Sequence, residues 1–255
     1  MMIHEADANP SVPVVWLHGW GMSSRIWEVL PDSARADAVI LDLPGHGGQP
    51  WDEALGADLW RWVDALLARA PERAVWVGWS LGGLLALAAA LRAPERVEGL
   101  TLLAATPCFV ASGEKGCGMA ADVLAEFEQG LVEDHALTLK RFIALQSMGA
   151  ADARTIRERL LDMLLNLPAP DPRALVAGLK ILCESDLRGE LGKVHAPVRV
   201  VLGGRDRIVP PCVAGVYAGA WPEAAIEVLP EAGHAPFVHC PERTADWIDH
   251  RRITK

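Results

Sequence analysis

Short, almost continuously apolar runs alternate along this chain with segments of helical periodicity. The runs Val12–Leu17, Ala38–Leu43, Ala74–Trp79, Val97–Ala104, Val198–Gly203 and Ala225–Leu229 have the length and composition of strands buried on both faces. Helical stretches separate the first four, notably Asp58–Arg69 and Leu81–Arg92, and a last helix is expected over Pro241–Arg251. Alternation of this kind predicts an α/β fold, with a mostly parallel central sheet and helices on both faces.

The alternation stops between about Pro107 and Lys193. Four helical patterns fill the gap, Met119–Val132, Leu137–Met148, Ala153–Leu165 and Pro172–Glu184. Gly113, Gly116, Gly118, Gly149 and Pro168-Ala169-Pro170 punctuate them. The expected organisation is a core of residues 1–110 and 193–255, with residues 111–192 inserted as a helical cap over the ends of the strands.

Composition narrows the class. About half of the 255 residues are apolar, as in a globular protein. A net charge of −9 argues against nucleic acid as a partner, because phosphate recognition needs clustered positive charge. The polar start, Met1-Met2-Ile3-His4-Glu5-Ala6-Asp7, has no signal-type apolar region. The longest apolar stretch, Leu81–Leu91, is about half of what spans a bilayer, so no membrane partner is expected. Cys108, Cys117, Cys183, Cys212 and Cys240 are odd in number and scattered, which suits reduced thiols in the cytoplasm better than disulfides or zinc.

Candidate chemistry gathers at three strand ends. Gly78-Trp79-Ser80-Leu81-Gly82 follows an expected strand and opens an expected helix, placing Ser80 on a tight exposed turn. Such a motif also arises by chance in a glycine-rich chain; its strand-to-helix context makes it a nucleophile candidate. A serine hydroxyl needs a base, and the base needs an orienting acid. Asp206, after Val198–Gly203, and His234, after Ala225–Leu229, follow in the order Ser, Asp, His on the same sheet edge. The oxyanion donors should be the backbone N–H groups of Leu81 and of Trp20 in Leu17-His18-Gly19-Trp20-Gly21-Met22. His18 is read as a structural residue of that loop, and Asp42 as one that stabilises its turn. His4, His46, His135, His195, His239 and His250 show no ligand spacing. No phosphate loop or dinucleotide fingerprint occurs either, so neither metal nor cofactor is expected.

Leu17-His18-Gly19-Trp20-Gly21-Met22, Asp42-Leu43-Pro44-Gly45-His46-Gly47, Gly78-Trp79-Ser80-Leu81-Gly82-Gly83 and Gly233-His234-Ala235-Pro236-Phe237 together resemble the α/β-hydrolase fold. Three stretches narrow the likeness: Ala105-Thr106-Pro107-Cys108-Phe109, the run from Leu139 to Gly149, and Gly178-Leu179-Lys180-Ile181-Leu182 with Asp186-Leu187-Arg188. These resemble the carboxylesterases of biotin synthesis that cleave the methyl ester of pimeloyl-[acyl-carrier protein]. The resemblance implies substrate contacts at Trp20, Ser80, Leu81, Phe142, Ile143, Ala144, Leu145, Gln146 and His234. It also implies an acyl-carrier protein bearing the pimeloyl methyl ester as partner, and the enzyme is expected to act as a monomer.

From Lys140 to Arg159 five basic residues (Lys140, Arg141, Arg154, Arg157, Arg159) face two acidic ones, Asp152 and Glu158. Such an island could steer an acidic carrier protein. It also reads as an ordinary solvated helix face with i,i+4 pairs. Two other functions stay open on sequence: a broad-specificity carboxylesterase or thioesterase using the same three residues, and a non-catalytic binding protein on this fold.

Overall fold

The computed structural model describes residues 12–35, 38–111, 116–166 and 168–248. Six strands, β1 (Val14–Leu17), β2 (Ala38–Leu41), β3 (Ala74–Trp79), β4 (Val97–Leu103), β5 (Val198–Gly203) and β6 (Ala225–Leu229), form one sheet in the order β2-β1-β3-β4-β5-β6. Every pairing between them is parallel. The strands are short because their ends are set by conformation and exposure as well as by polarity. β4 stops one residue before the expected Ala104, which turns to φ 44°. β1 starts two residues late, at the point where Val12 is exposed.

Side chains alternate across this sheet with the two-residue period of a strand. Val15, Leu17, Trp76, Leu100, Leu102, Val200 and Leu202 face one side. There they meet α2 (Leu59–Leu67), α3 (Leu81–Arg92) and α7 (Val213–Ala220). Trp16, Val75, Val77, Trp79, Leu103 and Val201 belong to the other side. That side is covered by a 3-10 turn at Ser24–Val29 and by α1 (Asp32–Arg35), α8 (Pro236–His239) and α9 (Thr244–Ile248). Helix α2 begins where Asp58 accepts hydrogen bonds from the N–H groups of Trp60 and Arg61. Helix α3 is apolar all round and buried from Leu81 to Ala90, since it lies between the sheet and α2. Its two N-terminal glycines permit that position. A Cβ on Gly82 would lie 2.4 Å from the His18 carbonyl oxygen, and one on Gly83 2.4 Å from the Ala105 Cβ.

Between β4 and β5 the chain leaves the sheet for α4 (Ala121–Ser147), α5 (Ala153–Leu165) and α6 (Pro172–Glu184). The two helices expected over Met119–Val132 and Leu137–Met148 are the two halves of α4. Asp134 separates them with extended dihedrals, φ −158° and ψ 93°. Its carboxylate accepts from Leu137 N at 2.9 Å, capping the second half as a new helix start. Helix α7 lacks a sequence signal because Gly215 and Gly219 dilute it with poor helix formers. Of the last expected helix, Pro241–Arg243 is a 3-10 turn and α9 follows, while residues 249–251 lie outside the described residues.

The expectation of five reduced thiols is corrected here: Cys117 and Cys212 form a disulfide, with Cα atoms 5.9 Å apart. The two are 95 residues apart in sequence, and only the packing of the insertion against α7 brings them together. Cys108, Cys183 and Cys240 are free.

Gly82→Ala is expected to destabilise the fold by more than about 3 kcal/mol, because backbone rather than a mobile side chain blocks the new methyl. Gly189→Ala, with open space around it, should change stability by no more than about 0.5 kcal/mol. Urea denaturation of both variants checks the contrast.

Candidate active site

Ser80 sits between β3 and α3 at φ 55° and ψ −119°, a left-handed conformation that costs energy for any residue with a Cβ. The surroundings enforce it. Ser80 N donates to the Leu103 carbonyl at 3.0 Å, and the Ser80 carbonyl accepts from Gly83 N and Leu84 N. The turn is so tight that a Cβ on Gly78 would lie 2.2 Å from the Gly82 carbonyl oxygen. Its result is a hydroxyl held at the start of a buried helix.

His234 and Asp206 reach the same point from the ends of β6 and β5. His234 Nε2 is 2.8 Å from Ser80 Oγ, and His234 Nδ1 is 2.8 Å from Asp206 Oδ2. The other oxygen of Asp206 accepts from Ile208 N at 2.7 Å and Val209 N at 3.0 Å. With the carboxylate accepting, Nδ1 carries the imidazole proton and Nε2 is left to accept from the serine hydroxyl. Trp79, the residue before the serine, donates its indole N–H to the His234 carbonyl at 2.6 Å. All three members of the chain are buried; Ser80 is 1% exposed and His234 0%.

The loop after β1 stands opposite. The backbone N–H groups of Trp20 and Leu81, the expected oxyanion donors, have no hydrogen-bond partner among the described residues. Two buried histidines hold this loop. His18 Nε2 accepts from Leu43 N at 3.0 Å and its Nδ1 donates to the Gly19 carbonyl at 2.8 Å. His46 Nε2 accepts from Gly21 N at 3.3 Å and its Nδ1 donates to the Pro44 carbonyl at 2.9 Å. Asp42 closes the same junction, accepting from Ser24 N and Gly48 N. Burial opposes the Asp42 charge, yet those two N–H donors hold its pKa below the usual carboxylate range. His18 Nε2 also lies 3.7 Å from Asp42 Oδ1, but a nitrogen that accepts from Leu43 N is unprotonated, so the contact is no ion pair.

The insertion covers the site. Phe142 of α4 packs edge-on against Trp20, with ring centroids 4.9 Å apart, and Phe127 packs edge-on against Phe142 at 5.5 Å. Trp20 Nε1 donates to the Leu175 carbonyl of α6, and His234 N to the Gln146 carbonyl of α4. The other residues of the 142–146 run are distributed differently. Ile143 joins the cluster containing Ile156 and Leu160, and Leu145 is half-buried against the α2–α3 side of the core. Ala144 lines an outward cavity of about 720 Å³ with Met148, Gly149, Arg154 and Arg157. Gln146 is buried, and its Oε1 has no hydrogen-bond partner among the described residues. Lys140, Arg141, Arg154, Arg157 and Arg159 are all exposed, and Arg154 pairs with Glu158 at 2.8 Å in i,i+4 fashion. The roles of Trp79, Leu175 and His46 were not legible along the chain, because two act through backbone carbonyls and the third closes a loop contact.

Residues 14–247 match the alpha/beta hydrolase family. The chain belongs to that family. A pimeloyl-[acyl-carrier protein] methyl ester esterase of Pectobacterium carotovorum subsp. carotovorum is 40% identical over 96% of this chain and 95% of its own. One of the same name from Aromatoleum aromaticum is 40% identical over 92% and 96%. Among solved structures, an esterase from Exiguobacterium antarcticum superposes with a TM-score of 0.82 at 21% identity, covering 96% of this chain and 92% of that one. A bromoperoxidase from Bacillus anthracis gives 0.79 at 21% identity, over 94% and 92%. At such identities the two structures show this α/β-hydrolase's fold alone.

The buried histidines make a pH prediction. Burial pushes His18 down to about 3, with His46 acting in the same direction, and burial pushes His46 down to about 4. In the unfolded chain both titrate near 6.5. The unfolded state therefore binds more protons below that pH, so stability is complete above it and is lost as pH falls toward 4. Each histidine should contribute a slope approaching about 1.4 kcal/mol per pH unit within that window. Urea midpoints measured from about pH 7 to pH 5 read it, and a flat profile would contradict the neutral, buried assignment.

Proposed function

We propose that this hydrolase cleaves the methyl ester of pimeloyl-[acyl-carrier protein], releasing methanol and the free carboxylate, as a step of biotin synthesis. The observation that carries the ester chemistry is the unbroken hydrogen-bonded chain from Ser80 through His234 to Asp206. The substrate follows from relatives of that name that match at 40% identity over nearly the full length.

Ser80 is the nucleophile. His234 takes its proton as Oγ attacks the ester carbonyl, and Asp206 stabilises the imidazolium without taking the proton. The developing oxyanion is received by the N–H groups of Leu81 and Trp20. Collapse expels methanol, which takes the proton from His234 Nε2 and leaves an acyl-enzyme on Ser80. A water molecule, deprotonated by His234, then attacks that ester and frees the carboxylate. Residues 111–192 act as a cap that excludes bulk water, with Phe142 and Trp20 forming the apolar wall along the acyl chain. The chain acts as a monomer, since one copy supplies every catalytic group. No helix among the described residues is long and apolar enough to cross a membrane.

The exposed side chains of Lys140, Arg141, Arg154, Arg157 and Arg159 receive the acidic carrier protein. Their role is steering rather than tight binding, because exposed charges in water attract weakly at contact but act over a Debye length.

Ser80→Ala should lower methanol release from the carrier-bound ester by roughly a million-fold. Coupled assay of methanol, beside hydrolysis of a short p-nitrophenyl ester, checks this. Hydrolysis of the short ester alone would leave a general esterase. Joint Arg154→Glu and Arg157→Glu substitution should raise KM for the carrier-bound ester by about fivefold at low salt and less at high salt. Unchanged kinetics at both salt concentrations would remove these side chains from docking.

A further inference from the structure

Ser80 and His234 are shut from solvent, so a long acyl chain reaches them only when part of their cover moves. The cover has a fixed half and a movable one. The second half of α4, residues 135–147, is tied to the loops beside the site. The Gln146 carbonyl accepts from His234 N at 3.1 Å, Ala151 N donates to the Glu231 carbonyl at 3.0 Å, and Arg205 donates to the Gly149 carbonyl at 3.2 Å. The first half, residues 121–133, joins it at Asp134, whose dihedrals leave the helical range. Phe127 of this first half lies on Phe142, and Phe142 lies on Trp20. Swinging the first half about Asp134 would therefore uncover the apolar wall next to Ser80 without disturbing His234.

That half is held by packing, through the buried side chains of Leu124 and Leu131, and by a covalent tether. Cys117, four residues ahead of α4, is bonded to Cys212. Cys212 directly precedes α7, at the end of the loop that carries Asp206. Among the described residues the strap is also held by Met119, which is buried in the core and pairs with Phe109 and Ala111 through backbone hydrogen bonds. Cys212 is exposed and Cys117 half-buried, so a small thiol or disulfide can reach the pair.

We propose that Cys117 and Cys212 form a thiol–disulfide switch that governs how far the first half of α4 opens, and so how readily long acyl esters reach Ser80. The proposal rests on the reading of this insertion as the lid of an esterase. The oxidant is a low-molecular-weight disulfide of the glutathione class. The Cys212 thiolate attacks one sulfur of it, forming a mixed disulfide and expelling one glutathione thiolate. The Cys117 thiolate then attacks the Cys212 sulfur and expels the second. Two protein thiols are oxidised, one disulfide is reduced to two thiols, and the two protons pass through solvent. Excess reduced glutathione runs the same steps backward.

The test equilibrates the full chain in oxidised or reduced glutathione, quenches with acid, and counts alkylatable thiols after unfolding. Oxidised protein should take up three equivalents and reduced protein five, with the missing pair mapped to Cys117 and Cys212 by peptide mass. Each form is then assayed on p-nitrophenyl acetate, on p-nitrophenyl octanoate and on the carrier-bound methyl ester. Oxidation should lower kcat/KM for the octanoate and the carrier ester by about tenfold, a typical size for coupling between two sites, and for the acetate by much less. Cys212→Ser should behave as the reduced form in both buffers. Five thiols in the oxidising buffer, equal kinetics of the two forms on octanoate, or a surviving redox response in Cys212→Ser would each overturn the switch. Failure to turn over the carrier ester in either form would sink the proposed substrate instead, and the octanoate ratio would still decide the switch.

Discussion

The turn at Ser80 is the constraint on which the rest of the molecule depends. A hydroxyl at the mouth of a helix, presented at positive φ, requires the strand before it and the helix after it to approach almost to backbone contact. Gly78, Gly82 and Gly83 supply that approach, and each is fixed by a different neighbour: the Gly82 carbonyl, the His18 carbonyl and the Ala105 Cβ. The strain at one residue is thus held by three elements at once, β1, β3 and β4, through packing that no single substitution could replace. Everything else at the site is arranged around the position that this turn gives to Oγ.

The same edge of the sheet supplies the partners without any special local fold. β5 and β6 end beside each other, and their loops cross closely enough that a Cβ on Gly203 would lie 2.0 Å from the Gly233 carbonyl oxygen. Asp206 is then anchored by two backbone N–H groups, which leaves one oxygen free to fix the imidazole. Across the site, His18, His46 and Asp42 lock the loop that carries the Trp20 N–H. Two histidines are buried there and Asp42 is partly buried, each with its hydrogen bonds made, because an unsatisfied one would cost about 1–3 kcal/mol. The loop facing the serine is therefore rigid, and the adjustable part of the site lies in the insertion above it.

That insertion is built from parts of unequal stiffness. The second half of α4 starts at the Asp134 cap and is hydrogen-bonded to the loop of His234, whereas the first half precedes that break and is reached through a disulfide. A division of this kind would leave the geometry of Ser80, His234 and Asp206 independent of the first half of their cover.

Much of this was legible along the chain. β3, β5, β6, α3, α5 and α6 appear where hydrophobic period and length place them, since the buried strands β3 and β5 and the buried body of α3 leave continuous apolar runs, and α5 and α6 an amphipathic period. Ser80, Asp206 and His234 were legible too, because each lies just past a strand and the order of strands puts their ends on one edge. Sequence could not show which side of α4 meets which neighbour. Phe142 turns to Trp20 while Ile143 and Ala144 turn away, a matter of helix phase and of packing against partners far off in the chain. Helix α7, with its two glycines, has too little local preference to announce itself and forms because the sheet needs cover there. The Cys117–Cys212 bond is the clearest case: thiols 95 residues apart become neighbours only when the insertion folds back on the core. Local sequence set the elements and the chemistry at their ends, and tertiary packing alone decided how the cover is fastened, because contacts between distant segments leave no periodic trace in either one.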